Sequence, residues 1–128
     1  MADTPRDNGS AALAIGSEIS RGAVQILRGY TGRGATKSRT VINQDTLTII
    51  LADPLTKGER SLVMVGEQEQ VFQTRRKDQH LMREELVHLV EGLTERRVEA
   101  FFSDNHIEPD YGVEFFLLEP LTGVDESR

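Results

Sequence analysis

The chain contains no cysteine and no apolar run approaching the ~20 residues that a bilayer-spanning helix requires. Between Glu18 and Asp45 it also has no carboxylate. Each absence excludes something. Without cysteine there is no thiol catalysis, no cysteine-ligated metal and no disulfide, which fits a reducing compartment. Without an apolar span, any role at a membrane is peripheral or through a partner. The opening "MADTPRDNGSAALA" carries acids early and lacks an apolar centre, so neither a secretory signal nor a transit peptide is expected. The expected location is the cytoplasm.

A length of 128 residues corresponds to one domain. A chain of that size buries about two thirds of its unfolded surface without disulfides, metal or cofactor, and none is expected. The net charge of -6 opposes general nucleic-acid binding, which needs a basic field. That sum hides an asymmetry. Residues 1–83 carry 12 basic and 9 acidic side chains, whereas residues 84–128 carry 3 basic and 12 acidic. The carboxylate-free segment holds Arg21, Arg28, Arg33, Lys37 and Arg39, and at its centre lies "GYTGRGATKSR", with Gly29, Gly32 and Gly34.

The residues before about Ser10, taken as a tail over 1–9, and those of 121–128 are polar and expected to be frayed, flanking a domain over 10–120. From Ser10 to Gly29, Ala12, Ile15, Ile19, Ala23, Ile26 and Tyr30 fall in one helical stripe. Gly16 and Gly22 flatten that stripe, which suits close core packing or a homodimer contact through apolar helix surface. Residues 36–53 read as a hairpin turning at "NQD", with Leu47, Ile49 and Leu51 on one face. Thr56 and Glu59 stand at capping-box spacing after Pro54, and Gly66 ends or bends the short helix that follows. A longer helix is expected over about Glu67 to Gly92, its core stripe centred on Leu86 and including Val71, Phe72, Met82, Leu89, Val90 and Leu93. "RRVEAFFS" and "GVEFFLLE" form a second hairpin. The order α-ββ-αα-ββ predicts an α+β, two-layer fold: a four-stranded antiparallel sheet with helices on one face. The pattern does not fix the strand order.

Gly32, Arg33 and Gly34, with Lys37 and Arg39, are the candidate anion- or partner-binding residues, because backbone N–H groups and cations there suit an anion or an acidic surface. Phosphate loops of nucleotide-binding folds run from strand to helix. Here the glycines follow a helix and precede a strand, so that reading fails, and a plain helix stop with solvated charges stays as the alternative. Asp104, His106, Glu108 and Asp110 alternate, which places Asp104 and His106 as candidates for a divalent metal, against an ordinary turn. His80, Glu84 and His88 form an i, i+4 ladder opposite the apolar stripe, where solvated helix pairing explains them. Arg75 falls inside the apolar stripe with Gln79. A guanidinium there must be paired, so a buried ion pair or sheet-carbonyl partner is expected. No nucleophile–base arrangement is evident, and no enzymatic activity is expected.

"GRGATKSRTVINQDTLTIILADPLTKGERSLV" and "LTERRVEAFFSDNHIEPDYGVEFFLLEP" resemble the two signature regions of the MpsC-like family. The matching positions are Gly32, Arg33 and Gly34, then Leu55, Thr56 and Glu59, then Ser103 and Asp104. The family pattern has proline where this chain has Ala35. The resemblance covers about Ile19 to Pro120 and brings no catalytic residues. It implies a small accessory or regulatory protein of a bacterial sodium-coupled or inorganic-carbon membrane system, with a membrane transport subunit as partner. The residues alone keep open a small-anion or nucleotide sensor at the Gly-Arg-Gly loop, and a metal-dependent enzyme at Asp104 and His106.

Overall fold

The computed structural model describes residues 3–120, with side chains from residue 11. The tail expected over 121–128 lies outside the described residues, as do Met1 and Ala2. The elements are α1 (Asp3–Thr31), β1 (Lys37–Asn43), β2 (Thr46–Ala52), α2 (Lys57–Met64), α3 (Gln68–Thr94), β3 (Val98–His106) and β4 (Tyr111–Leu118). α1 begins before the Ser10 that periodicity suggests. Apolar spacing reports only the part of a helix with something to pack on, and residues 3–10 contain no large apolar residue.

Each hairpin is antiparallel, and β2 pairs with β4, giving one sheet of order β1-β2-β4-β3. Two alternating central strands thus lie side by side, and their inward residues make one apolar floor. Leu47, Ile49 and Leu51 of β2 and Phe116 and Leu118 of β4 are buried there. Ile19, Ala23 and Leu27 of α1 and Met82, Leu86 and Val90 of α3 close over them. Phe101 on β3 stacks at a tilt on Phe116, with ring centroids 5.0 Å apart. The helices cover this face, as expected for an α+β two-layer fold.

One detail differs from the sequence reading. The buried side of α1 is rotated by about 40° from the predicted stripe, at 100° per residue. Leu27 is therefore buried, whereas Tyr30 is exposed and donates its hydroxyl hydrogen to Glu85 across the α1–α3 seam. The rotation follows from contact with β1: the Ser20 and Thr40 hydroxyls are 2.8 Å apart, and Gly16 faces the Thr40 backbone. Gly22 fits closely against α3, since a Cβ there would lie 2.6 Å from the Leu89 side chain. The apolar stripe that suited a dimer contact is thus largely used inside the fold. Among the described residues, the large aliphatic helix side chains left exposed, Leu13, Met64 and Leu81, stand on three different helices.

Candidate functional site

The motif residues converge on the end of the sheet where β2 runs into α2. α1 stops because Gly32 takes a left-handed φ of 77° and returns its N–H to the Arg28 carbonyl, 2.8 Å away. Gly34 then passes so close to α1 that a Cβ would lie 2.7 Å from a Val24 methyl and 3.3 Å from the Arg28 guanidinium. A Cβ on Gly29 would meet nothing within 4 Å, and this glycine is an ordinary helical residue. Of the three glycines, one ends the helix and one permits close approach.

Arg33 turns inward. Its Nε and Nη2 both donate to the Asp53 carbonyl, at 3.1 and 3.0 Å. Asp53 itself has a φ of 56°, a costly conformation for a residue with a side chain. Its carboxylate accepts from the Thr36 hydroxyl at 2.6 Å, and its N–H reaches the Asp110 carbonyl at 2.9 Å. The Gly-Arg-Gly turn is therefore fastened to the far end of β2 and to the β3–β4 loop.

One step further along, the capping box of α2 is complete. The Thr56 hydroxyl accepts from the Glu59 N–H, and Glu59 Oε1 accepts from the Thr56 N–H. The same oxygen receives Arg75 Nη2 at 2.6 Å, with both side chains nearly inaccessible. Arg75 also donates to the Pro54 carbonyl, a loop carbonyl and not one of the sheet. A carboxylate that caps one helix and pairs with an arginine of another fixes α2 on α3. Asp110 completes the node by accepting from the Leu55 N–H at 3.1 Å. Its carboxyl is raised above the ordinary range, chiefly by burial, against the opposing pull of the Leu55 hydrogen bond and of Arg75 and Arg60.

Behind Arg75, Glu114 of β4 is buried on the inner face and accepts from the Ser103 hydroxyl of β3. Burial pushes its carboxyl up to about 7, with the Ser103 hydrogen bond and the Arg75 charge pulling the other way. Asp78 on α3 is likewise raised, first by burial. Arg75, Asp78, Gln79, Asn105 and Glu114 border a cavity of about 10 Å³, at the size limit for one water.

The candidate residues do not all meet. Gly32, Arg33 and Gly34 line a surface pocket of about 550 Å³ with Arg28, Thr36, Thr56 and Lys57. Lys37 and Arg39 are not in that lining: alternation along β1 turns both to the uncovered face of the sheet. Asp104 and His106 share that face on β3, but His106 Nδ1 is 2.8 Å from the Pro109 carbonyl and Asp110 is turned to Leu55. Among the described residues, no group of three or more His, Asp or Glu is placed to hold a metal. His80, Glu84 and His88 lie exposed along α3.

Sequence reasoning missed Arg96. At the opposite end of the sheet it donates to the Gln44 carbonyl at 2.8 Å, to the Asp45 carboxylate at 2.7 Å and to the Glu119 carbonyl at 2.7 Å. Gln44, like Asp53, has a φ of 56°. An arginine thus holds the carbonyl of a left-handed residue at each end of β2, and nothing in local spacing signals either contact.

These features define a two-layer α+β protein whose signature residues build a polar junction between sheet and helices. The family model described as "Na+-translocating membrane potential-generating system (MpsC)" matches residues 12–120, and the chain belongs to that family. No curated protein and no solved structure matches it. Among the described residues, no helix is long and apolar enough to cross a membrane.

Proposed function

We propose that the chain is a non-enzymatic accessory protein of a sodium-coupled membrane system, acting from the cytoplasm on a membrane-embedded transport subunit. The observation that carries this reading is the family match over 12–120, which takes in every strand. A chain without a spanning helix among its described residues contributes to such a system by contact. The basic end around the Gly-Arg-Gly loop, where Arg28 and Lys57 border the pocket beside Arg33, suits an acidic partner surface. The test is a deletion strain assayed with a potential-sensitive dye at high and low sodium, together with crosslinking of the tagged protein in isolated membranes. A sodium-dependent loss of potential and a crosslink to an integral membrane subunit are expected. A deletion strain with unchanged potential, or a protein that never crosslinks in membranes, would sink the proposal.

The same pocket supports a second reading, a sensor for a small anion or a nucleotide. Arg33 is engaged with Asp53, so the cations offered to a ligand are Arg28 and Lys57, neither of which makes an ion pair among the described residues. A ligand at 100 times its Kd stabilises the folded state by about 2.7 kcal/mol. Thermal-shift measurements with bicarbonate, phosphate and nucleotides decide it: the shift must appear and must vanish in Arg28→Ala.

A further inference from the structure

The helices cover one face of the sheet, and among the described residues nothing covers the other, which is patterned. Cross-strand register places its side chains in rows running from β1 through β2 and β4 to β3. One row is Arg39, Ile50, Val113 and Asp104. The next is Val41, Thr48, Phe115 and Phe102, with Val41 44% and Phe102 60% exposed and the two phenyl rings 6.0 Å apart. An apolar centre is therefore flanked by a cation on one edge and a carboxylate on the other. Arg39 and Asp104 stand three strand spacings apart, roughly 14 Å, too far to pair within one chain. Neither makes an ion pair among the described residues.

We infer that this face pairs with the same face of a second copy, about a two-fold axis parallel to the strands and passing between β2 and β4. That axis carries β1 of one copy over β3 of the other while keeping each row in register. Arg39 then lies opposite the partner's Asp104, and Val41 opposite the partner's Phe102. Both contacts occur twice, because a two-fold interface is isologous. Sheets stack about 10 Å apart with strands within about 30°, a gap that an arginine and an aspartate span together. A two-fold axis perpendicular to the strands would instead lay β1 on β1 in reversed direction, where Arg39 meets no carboxylate and the opposite charges go unused. The charges select the first arrangement.

Four strands about seven residues long give a flat footprint of roughly 450 Å² per copy. Two copies bury roughly twice that, close to the lower bound of about 1,000 Å² for a specific interface. The dimer is therefore concentration-dependent and weakened by salt, not obligate.

Analytical ultracentrifugation of the full chain, from micromolar to submillimolar concentration at low salt, tests this. Wild type is expected to dimerise, and Arg39→Asp and Asp104→Arg each to weaken the dimer by at least about tenfold, since every reversal creates two like-charge contacts. An equimolar mixture of the two single variants restores both opposite-charge contacts and must associate, as must the double variant. Both positions are exposed, and circular dichroism melting checks that each variant folds. A wild type that stays monomeric, single variants that dimerise like wild type, or a mixture that fails to associate would overturn the arrangement.

Discussion

Arg33 holds the Asp53 carbonyl oxygen with two N–H groups, at 3.1 and 3.0 Å, and Asp53 is one of the few residues with a side chain at positive φ. The basic residue at the centre of the glycine motif is thus a clasp between the α1–β1 turn and the β2–α2 turn. Arg33→Ala should lower unfolding free energy by about 1–2 kcal/mol, as expected for lost hydrogen bonds from a charged donor. Urea denaturation measures it. An unchanged midpoint would show that the clasp contributes nothing to the folded state.

The three glycines of the motif should respond differently to alanine. Gly34→Ala meets the stiff Val24 side chain and should cost about 1–3 kcal/mol. Gly32→Ala forces a side chain into a left-handed conformation, at about 1 kcal/mol. Gly29→Ala, on an open helix surface, should be neutral or stabilising by up to about 1 kcal/mol. Thermal melts of the three variants rank them, and equal effects would contradict the separate roles.

Glu59 caps α2 and pairs with Arg75 through one oxygen. Arg75→Met leaves that carboxylate buried without its cation and should cost about 3–5 kcal/mol. Combining it with Glu59→Gln should cost less than the two separate losses together, because the uncompensated charge is gone. A double-mutant cycle with no coupling would mean that the ion pair adds nothing.

Burial raises the Glu114 carboxyl from its ordinary 4.5 to about 7. The folded protein therefore binds this proton more tightly than the unfolded chain. The resulting stability is fully present below about pH 4.5 and is lost as pH rises through about 7. Glu114→Gln keeps the shape without the charge. It should flatten stability between those limits and gain about 1–3 kcal/mol over wild type at mildly alkaline pH. Denaturation series across the pH range check this, and a wild-type curve parallel to that of the variant would exclude Glu114 as the titrating group.

Much of the fold was legible because it rests on periods. Alternation placed Leu47, Ile49 and Leu51 inside, and 3.6-residue spacing placed Val71, Met82, Leu86 and Val90 on the core side of α3. The same spacing put Arg75 among them, and elementary electrostatics required a partner for it. Spacing also announced the Thr56–Glu59 capping box. What spacing did not show is that Arg33 points to a different part of the fold from Lys37 and Arg39. They are near in sequence, but the turn holds the first, half-buried, against the Asp53 carbonyl while the strand sends the other two to the uncovered face of the sheet.

The element order, the inward face of β2 and the start of α2 can be read along the chain, because they depend on local spacing and capping chemistry between near neighbours. Long-range packing alone sets β2 against β4, places Arg33 and Arg96 on left-handed turns at opposite ends of β2, sends Glu114 to the inner face, and puts Arg39 and Asp104 in one row across the sheet. Those relations join residues distant along the chain, and their energies arise only when strand pairing and helix packing bring the partners together.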